Sequence, residues 1–115
     1  MTNRNLLSWI ELSKKALSHN IKSLEKLSGK SKLAVSVKAN AYGHGLLEIS
    51  GLLSHHNEVE YLTVHSFDEA LTARLGGWQR KIMILGPVQA NMLEALFEYG
   101  LEPVIFEKST LRNLG

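Results

Sequence analysis

Cysteine is absent from the sequence, and so are long apolar runs. Without cysteine there is no disulfide framework, no thiolate metal site and no cysteine nucleophile. No apolar run approaches the roughly 20 residues that a membrane-spanning helix needs. Residues 1–7 lack the long apolar segment and the small-residue cleavage site of a secretory signal. We therefore expect a soluble, cytoplasmic protein without a membrane partner.

An excess of one charge is also missing. The chain has 13 Lys and Arg residues against 11 Asp and Glu residues, and the basic residues are scattered, which argues against nucleic-acid binding. A metal site is not expected, because the adjacent His55 and His56 point in different directions on a helix and no carboxylate completes a ligand set. With 115 residues, of which 44% are hydrophobic, the chain suits one globular domain.

Short apolar segments alternate with segments of helical periodicity along the chain. Five apolar segments are bounded by turn residues and predict buried strands: residues 9–12, 33–37, 61–64, 82–85 and 103–106. Strands that alternate with helices at this spacing are typical of βαβ units, which form a parallel sheet covered by helices. A closed (β/α)8 barrel needs about 250 residues. The pattern alone therefore leaves two alternatives, a complete open sheet or part of a longer barrel.

The segments between the predicted strands carry helix-start signals. Ser13 is a candidate N-cap, and it is followed by apolar residues on one helical face, Leu17, Ile21, Leu24 and Leu27. Two pairs predict capping boxes, in which each side chain satisfies a backbone N–H at the helix start: Ser66 with Glu69, and Asn91 with Glu94.

The segment from residue 34 to residue 45 carries the densest chemical signal. Alternation along the strand places Leu33, Val35 and Val37 on one face, and Ala34, Ser36 and Lys38 on the other. Lys38 then lies at the carboxyl end of its strand, where α/β folds place their sites. It has two interpretations: a lysine whose stem is buried and whose ammonium reaches water, or an amine kept neutral by desolvation for Schiff-base formation.

Residues 37–45, Val-Lys-Ala-Asn-Ala-Tyr-Gly-His-Gly, resemble the cofactor-lysine motif of alanine racemases. The segments Trp-Ile-Glu-Leu at residues 9–12, Glu-Ala-Leu at 69–71 and Ile-Leu-Gly at 84–86 are also similar to that family. The resemblance implies an α/β fold, the incomplete N-terminal part of a (β/α)8 TIM-type barrel with about five βα units.

The resemblance also implies a function and residue roles. The protein would be a pyridoxal-phosphate-dependent isomerase that interconverts L-alanine and D-alanine for peptidoglycan, with a homodimer expected for the full-length protein. Lys38 would bind the cofactor covalently and act as the base on the D-alanine face, and Tyr42 would contact the cofactor phosphate. Asn40, Gly43, His44 and Gly45 would shape the turn. Ser36 would be a small inward residue.

The chain departs from the family in what it lacks. No residue matches the opposite-face tyrosine of the C-terminal β-domain, the arginine at the pyridine nitrogen or the later phosphate loops. Residues 1–115 are therefore expected to be a partial N-terminal barrel domain without the β-domain, inactive or weakly active alone. Two alternatives remain: a non-catalytic pyridoxal-phosphate-binding homeostasis protein on the same barrel, and an unrelated flavodoxin-like binding module.

Overall fold

A computed structural model describes residues 6–114 of the chain. Four parallel strands pair in the order β1-β2-β3-β4: Leu33–Ser36, Val59–Val64, Lys81–Ile84 and Leu101–Pro103. The helices are α1 to α6, with a 3-10 turn at Ala90–Met92 before α5: Lys14–Ser28, Lys38–Tyr42, Leu46–Leu53, Phe67–Leu75, Leu93–Glu98 and Lys108–Arg112. Each strand lies beside the next one along the chain and helices connect them, as in the wall of a TIM-type barrel. The fold is the incomplete barrel unit that the sequence predicted.

The two faces of the sheet differ in the way that strand alternation predicts. Leu62 and Val64 of β2, with Ile82 and Ile84 of β3, are fully buried and form the core between the sheet and its helices. The opposite face carries smaller or polar side chains, including Ala34 of β1, which is exposed. Successive side chains point to opposite faces, so the core-facing set is apolar while the other set faces the interior side of the barrel wall.

The prediction of a strand at residues 9–12 is wrong, and the sheet described within residues 6–114 has four strands rather than five. In the described part of the chain this segment has no strand pairing, and Trp9 and Ile10 are 70% and 69% exposed. A strand needs a neighbour to accept and donate its ladder hydrogen bonds. A short apolar run does not specify that neighbour, so the pattern predicted a strand that does not form at residues 9–12.

The last predicted strand is displaced along the chain. It covers Leu101–Pro103 rather than residues 103–106, because Leu101 pairs with Ile82 and Pro103 pairs with Ile84. The Val104 amide still donates to Ile84 O at 3.2 Å, and no ladder bond follows it within residues 6–114. Proline cannot donate a ladder hydrogen bond, so its place at the end of an edge strand is consistent with its chemistry.

The predicted helix starts are correct in part. Ser13 Oγ accepts a hydrogen bond from the Ala16 amide at 3.0 Å, which confirms this N-cap. The apolar face of α1 is only half covered, since Ile21 is buried but Leu27 is 84% exposed. The Asn91 cap is wrong. Asn91 lies inside the 3-10 turn, and α5 begins after Met92 without a side-chain cap.

Arg80 links the connection between α3 and β2 to the start of β3 through hydrogen bonds. Its guanidinium donates to four backbone carbonyls, at 2.7–3.3 Å: those of Leu53, Ser54, His56 and Val59. The guanidinium also lies 4.2 Å from the ring centroid of Trp78. Trp78 is fully buried.

Arg80→Lys is expected to lower the free energy of unfolding by about 1–3 kcal/mol, because an ammonium cannot match the planar set of donors and leaves buried carbonyls without partners. Urea denaturation followed by circular dichroism measures the change. Arg112→Lys, on the exposed surface of α6, is the matched control and should change stability by less than about 0.5 kcal/mol. Equal stability of the two variants would contradict the role assigned to Arg80.

Within residues 6–114, no helix is long and apolar enough to cross a membrane.

Candidate active site

Lys38 lies at the carboxyl edge of the sheet. The Val37 amide donates to Thr63 O at 2.9 Å, which is the last ladder contact between β1 and β2, and Lys38 follows directly. The side chain is half-buried. Lys32 and Lys81 pair with Glu60, whereas Nζ of Lys38 has no hydrogen-bond or ion-pair partner in the part of the chain that the structure describes. The amine is therefore available to a ligand at the edge where barrel enzymes bind substrates.

The turn after Lys38 has an uncommon backbone conformation. Four consecutive residues other than glycine have positive φ angles of 53–56°: Ala39, Asn40, Ala41 and Tyr42. The left-handed conformation costs roughly 1–2 kcal/mol per residue for L-amino acids, and it normally occurs at single positions. The α2 segment is therefore a left-handed turn that surrounding contacts must hold in place.

Asn40 makes several of those contacts. Its backbone carbonyl accepts hydrogen bonds from the amides of Gly43 at 3.1 Å and Gly45 at 3.0 Å. Its side-chain Oδ1 accepts from the Leu46 amide at 2.8 Å, and so caps the first turn of α3. Asparagine also tolerates positive φ better than most residues. The turn and the start of α3 are thus held by one residue, through its backbone carbonyl and its side chain.

Asn40→Ala is expected to destabilise the protein by about 1 kcal/mol, because the Leu46 amide loses its acceptor and alanine disfavours the positive φ. Asn40→Asp keeps an acceptor oxygen at the same place and should retain most of the stability. Thermal unfolding of both variants measures the difference. Equal melting temperatures for Asn40→Ala and the unaltered chain would rule out this capping role.

Tyr42 lies at the end of the left-handed turn. Its hydroxyl is 3.3 Å from Ser36 Oγ, and the residue is 60% exposed. The small Ser36 side chain thus places the tyrosine hydroxyl on the same face of β1 that the alternation pattern assigned to Lys38. The hydroxyl keeps hydrogen-bonding capacity for a further partner.

Glu69 contacts the turn from the neighbouring βα unit. Its Oε2 accepts from the Ala39 amide at 2.8 Å and its Oε1 accepts from the His65 amide at 2.6 Å. The capping box expected with Ser66 is therefore only half right: Ser66 Oγ accepts from the Glu69 amide at 3.3 Å, but the Glu69 carboxylate does not return to Ser66. Sequence reasoning missed this contact, because it joins residues 30 positions apart.

The residues at this edge fit pyridoxal phosphate, the cofactor that the resemblance implies. An aldehyde needs a primary amine, and Lys38 has one without a partner in residues 6–114. A phosphate needs donors, and the Tyr42 hydroxyl is an exposed one. The close backbone approach of a ligand is also possible at Gly43, where an added Cβ would meet no atom within 4 Å. In the described residues, no three His, Asp or Glu side chains are grouped as metal ligands would be.

The comparison with protein families decides the assignment. The family model described as "Alanine racemase, N-terminal domain" matches residues 12–115. The chain belongs to the alanine racemase family. Among curated relatives of this racemase-family chain, the alanine racemase of Aquifex pyrophilus is 38% identical over 105 residues, which are 91% of the chain and 30% of that protein. A lysine racemase of Oenococcus oeni is 37% identical over 90 residues, 78% of the chain and 24% of that protein.

A solved structure agrees with the fold of this racemase-family chain. The crystal structure of alanine racemase from Oenococcus oeni superposes with a TM-score of 0.81 and 32% sequence identity, covering 90% of the chain and 28% of that structure. The chain therefore spans about a third or less of the length of the racemases it matches. The first βα units of the barrel are the part that the two share.

Proposed function

We propose that the protein takes part in pyridoxal-phosphate-dependent amino-acid racemisation, with L-alanine and D-alanine as the interconverted pair and D-alanine destined for peptidoglycan. The observation that carries the proposal is the Lys38 amine, which has no partner among residues 6–114. Lys38 directly follows the last ladder hydrogen bond of β1, and the chain belongs to a family of racemases. From the family resemblance we further propose a cytoplasmic enzyme, with a homodimer for the full-length protein.

Lys38 has two tasks in this proposal. Its amine would hold the cofactor at the sheet edge through a covalent bond to the aldehyde carbon, formed with loss of water. The same amine would also remove or return the Cα proton of the substrate on one face. The cofactor, when bound, withdraws electrons through its ring and makes that proton removable.

Tyr42 and the turn position the cofactor. The Tyr42 hydroxyl lies 3.3 Å from Ser36 Oγ and would donate a hydrogen bond to the phosphate group of the cofactor. The left-handed turn places the backbones of Lys38 and Tyr42 at the two ends of one short ordered segment. Such pre-organisation lowers the entropic cost of reaching a productive geometry.

Residues 1–115 are proposed to form the N-terminal part of the barrel domain, and to be inactive or only weakly active alone. Racemisation needs a second proton carrier on the opposite face, and the family supplies it from a tyrosine that this chain does not match. The chain covers 30% of the Aquifex pyrophilus enzyme. We propose that the remaining part of the full-length protein also determines substrate selection beyond alanine, since a lysine racemase is among the relatives.

A chimera tests the proposed function directly. Residues 12–115 of this chain replace the matching segment of the Aquifex pyrophilus alanine racemase, and the interconversion of L-alanine and D-alanine is measured by chiral chromatography. We expect racemisation that depends on pyridoxal phosphate and is abolished by Lys38→Ala. A folded, cofactor-binding chimera that leaves alanine unchanged would instead favour a non-catalytic cofactor-binding protein.

A further inference from the structure

A single carboxylate joins the Lys38 turn to the adjacent βα loop. Glu69 lies in the first turn of α4 and is half-buried. One of its oxygens accepts from the Ala39 amide at 2.8 Å and the other accepts from the His65 amide at 2.6 Å. Hydrogen bonds to an ionised carboxylate are shorter and stronger than those between neutral groups. Both oxygens are thus committed to backbone amides of two different loops at the carboxyl edge of the sheet.

The Ala39 amide is the part of the turn that most directly orients Lys38. This N–H belongs to the peptide unit formed with the Lys38 carbonyl, so its direction sets the ψ angle of Lys38. It also begins the run of four positive φ angles from Ala39 to Tyr42. The contacts from Asn40 act later in the turn, on Gly43, Gly45 and Leu46. Glu69 is therefore the side chain that contacts the backbone amide directly after Lys38.

Helix capping does not account for the placement of this carboxylate. Ser66 Oγ already accepts from the Glu69 amide and serves as the N-cap of α4. The helix is anchored independently, since Ala70 and Ala73 are fully buried. Each carboxylate oxygen of Glu69 accepts a hydrogen bond from a backbone amide of a different loop. Its contacts are those of a residue that positions the backbone beside Lys38.

We propose that Glu69 is a positioning residue for Lys38. Its carboxylate fixes the Lys38–Ala39 peptide unit and thereby directs the amine of Lys38 toward the cofactor's aldehyde. The inference rests on the proposed function for the identity of the cofactor. The contact itself is a property of the chain and is measurable without the cofactor.

The test compares Glu69→Gln and Glu69→Ala with the unaltered chain in two measurements. The first is selective labelling: pyridoxal phosphate is added, the adduct is reduced with borohydride, and mass spectrometry gives the labelling of Lys38 relative to the other lysines. The second is the hydrogen-exchange rate of the Ala39 and His65 amides, followed by NMR without the cofactor.

We expect Glu69→Ala to lower the Lys38 selectivity by about tenfold or more and to speed exchange of both amides by a similar factor. Glu69→Gln keeps one acceptor oxygen and should give an intermediate result, which is partial rescue by the conservative variant. Ser66→Ala is the matched control, because it weakens the same helix turn without touching Ala39. It should leave the Lys38 selectivity unchanged even where it lowers the melting temperature.

Unchanged Lys38 selectivity in both Glu69 variants, with the unaltered chain selectively labelled, would overturn the positioning role. Equal loss of selectivity in Ser66→Ala would overturn it as well, since the effect would then follow stability alone. If Glu69→Ala does not fold, Glu69→Gln decides. A chain that shows no selective labelling at Lys38 would count against the proposed function. The Ala39 exchange rate in Glu69→Ala then decides whether the contact exists, because that variant has no acceptor, and unchanged protection would overturn it.

Discussion

Replacing Trp78 by alanine is expected to lower the free energy of unfolding by about 3–5 kcal/mol, the range for removing a large aromatic side chain from a core. The indole is fully buried, its Nε1 donates to Lys81 O at 3.0 Å, and its ring stacks with the Arg80 guanidinium. The loss would consume much of the roughly 5–15 kcal/mol that holds a typical domain folded. Urea denaturation followed by circular dichroism provides the measurement.

Trp78→Phe separates the two contributions of the side chain. Phenylalanine keeps most of the apolar area but leaves the Lys81 carbonyl without its donor, so a loss of about 1–3 kcal/mol is expected. A loss below about 1 kcal/mol in Trp78→Ala would contradict a core-packing role for the buried indole.

Lys38→Arg is expected to abolish the selective adduct with pyridoxal phosphate while leaving the fold intact. A guanidinium stays protonated at all accessible pH values and lacks the free electron pair that attack on an aldehyde needs. In the racemase chimera, the same change removes a proton-transfer group and should lower kcat by at least about 10²-fold.

Lys14→Arg, at the exposed start of α1, is the control for the loss of one lysine. Both variants should unfold within about 0.5 kcal/mol of the unaltered chain, because neither position is buried in the core. Retention of racemase activity in Lys38→Arg would contradict the proposed role of the amine.

Much of the fold could be predicted from local sequence patterns. β1, β2 and β3 are apolar segments that the sequence pattern predicted as strands, alternation identified the core face of β1, and Ser13 marked the start of α1. The same alternation placed Lys38 at the carboxyl end of β1. These features depend on residues close together along the chain, so periodicity and capping rules were sufficient.

Features that depend on distant partners could not be predicted. The apolar residues 9–12 resemble a strand, but pairing is decided by a neighbour that the pattern does not identify. The left-handed turn opposes local preference at Ala39 and Ala41, and it persists through tertiary contacts. Glu69 was assigned to a local cap because a spacing of three residues from Ser66 is visible in the sequence, whereas its contact with Ala39 is not.

The most direct test of the central claim is to locate the lysine that binds the cofactor. Pyridoxal phosphate is added to the folded chain, the adduct is reduced with borohydride, and the digested peptides are mapped by mass spectrometry. The account predicts a stable modification on Lys38 that greatly exceeds labelling of the exposed lysines. Labelling spread evenly over the lysines of a chain that circular dichroism shows to be folded would contradict it.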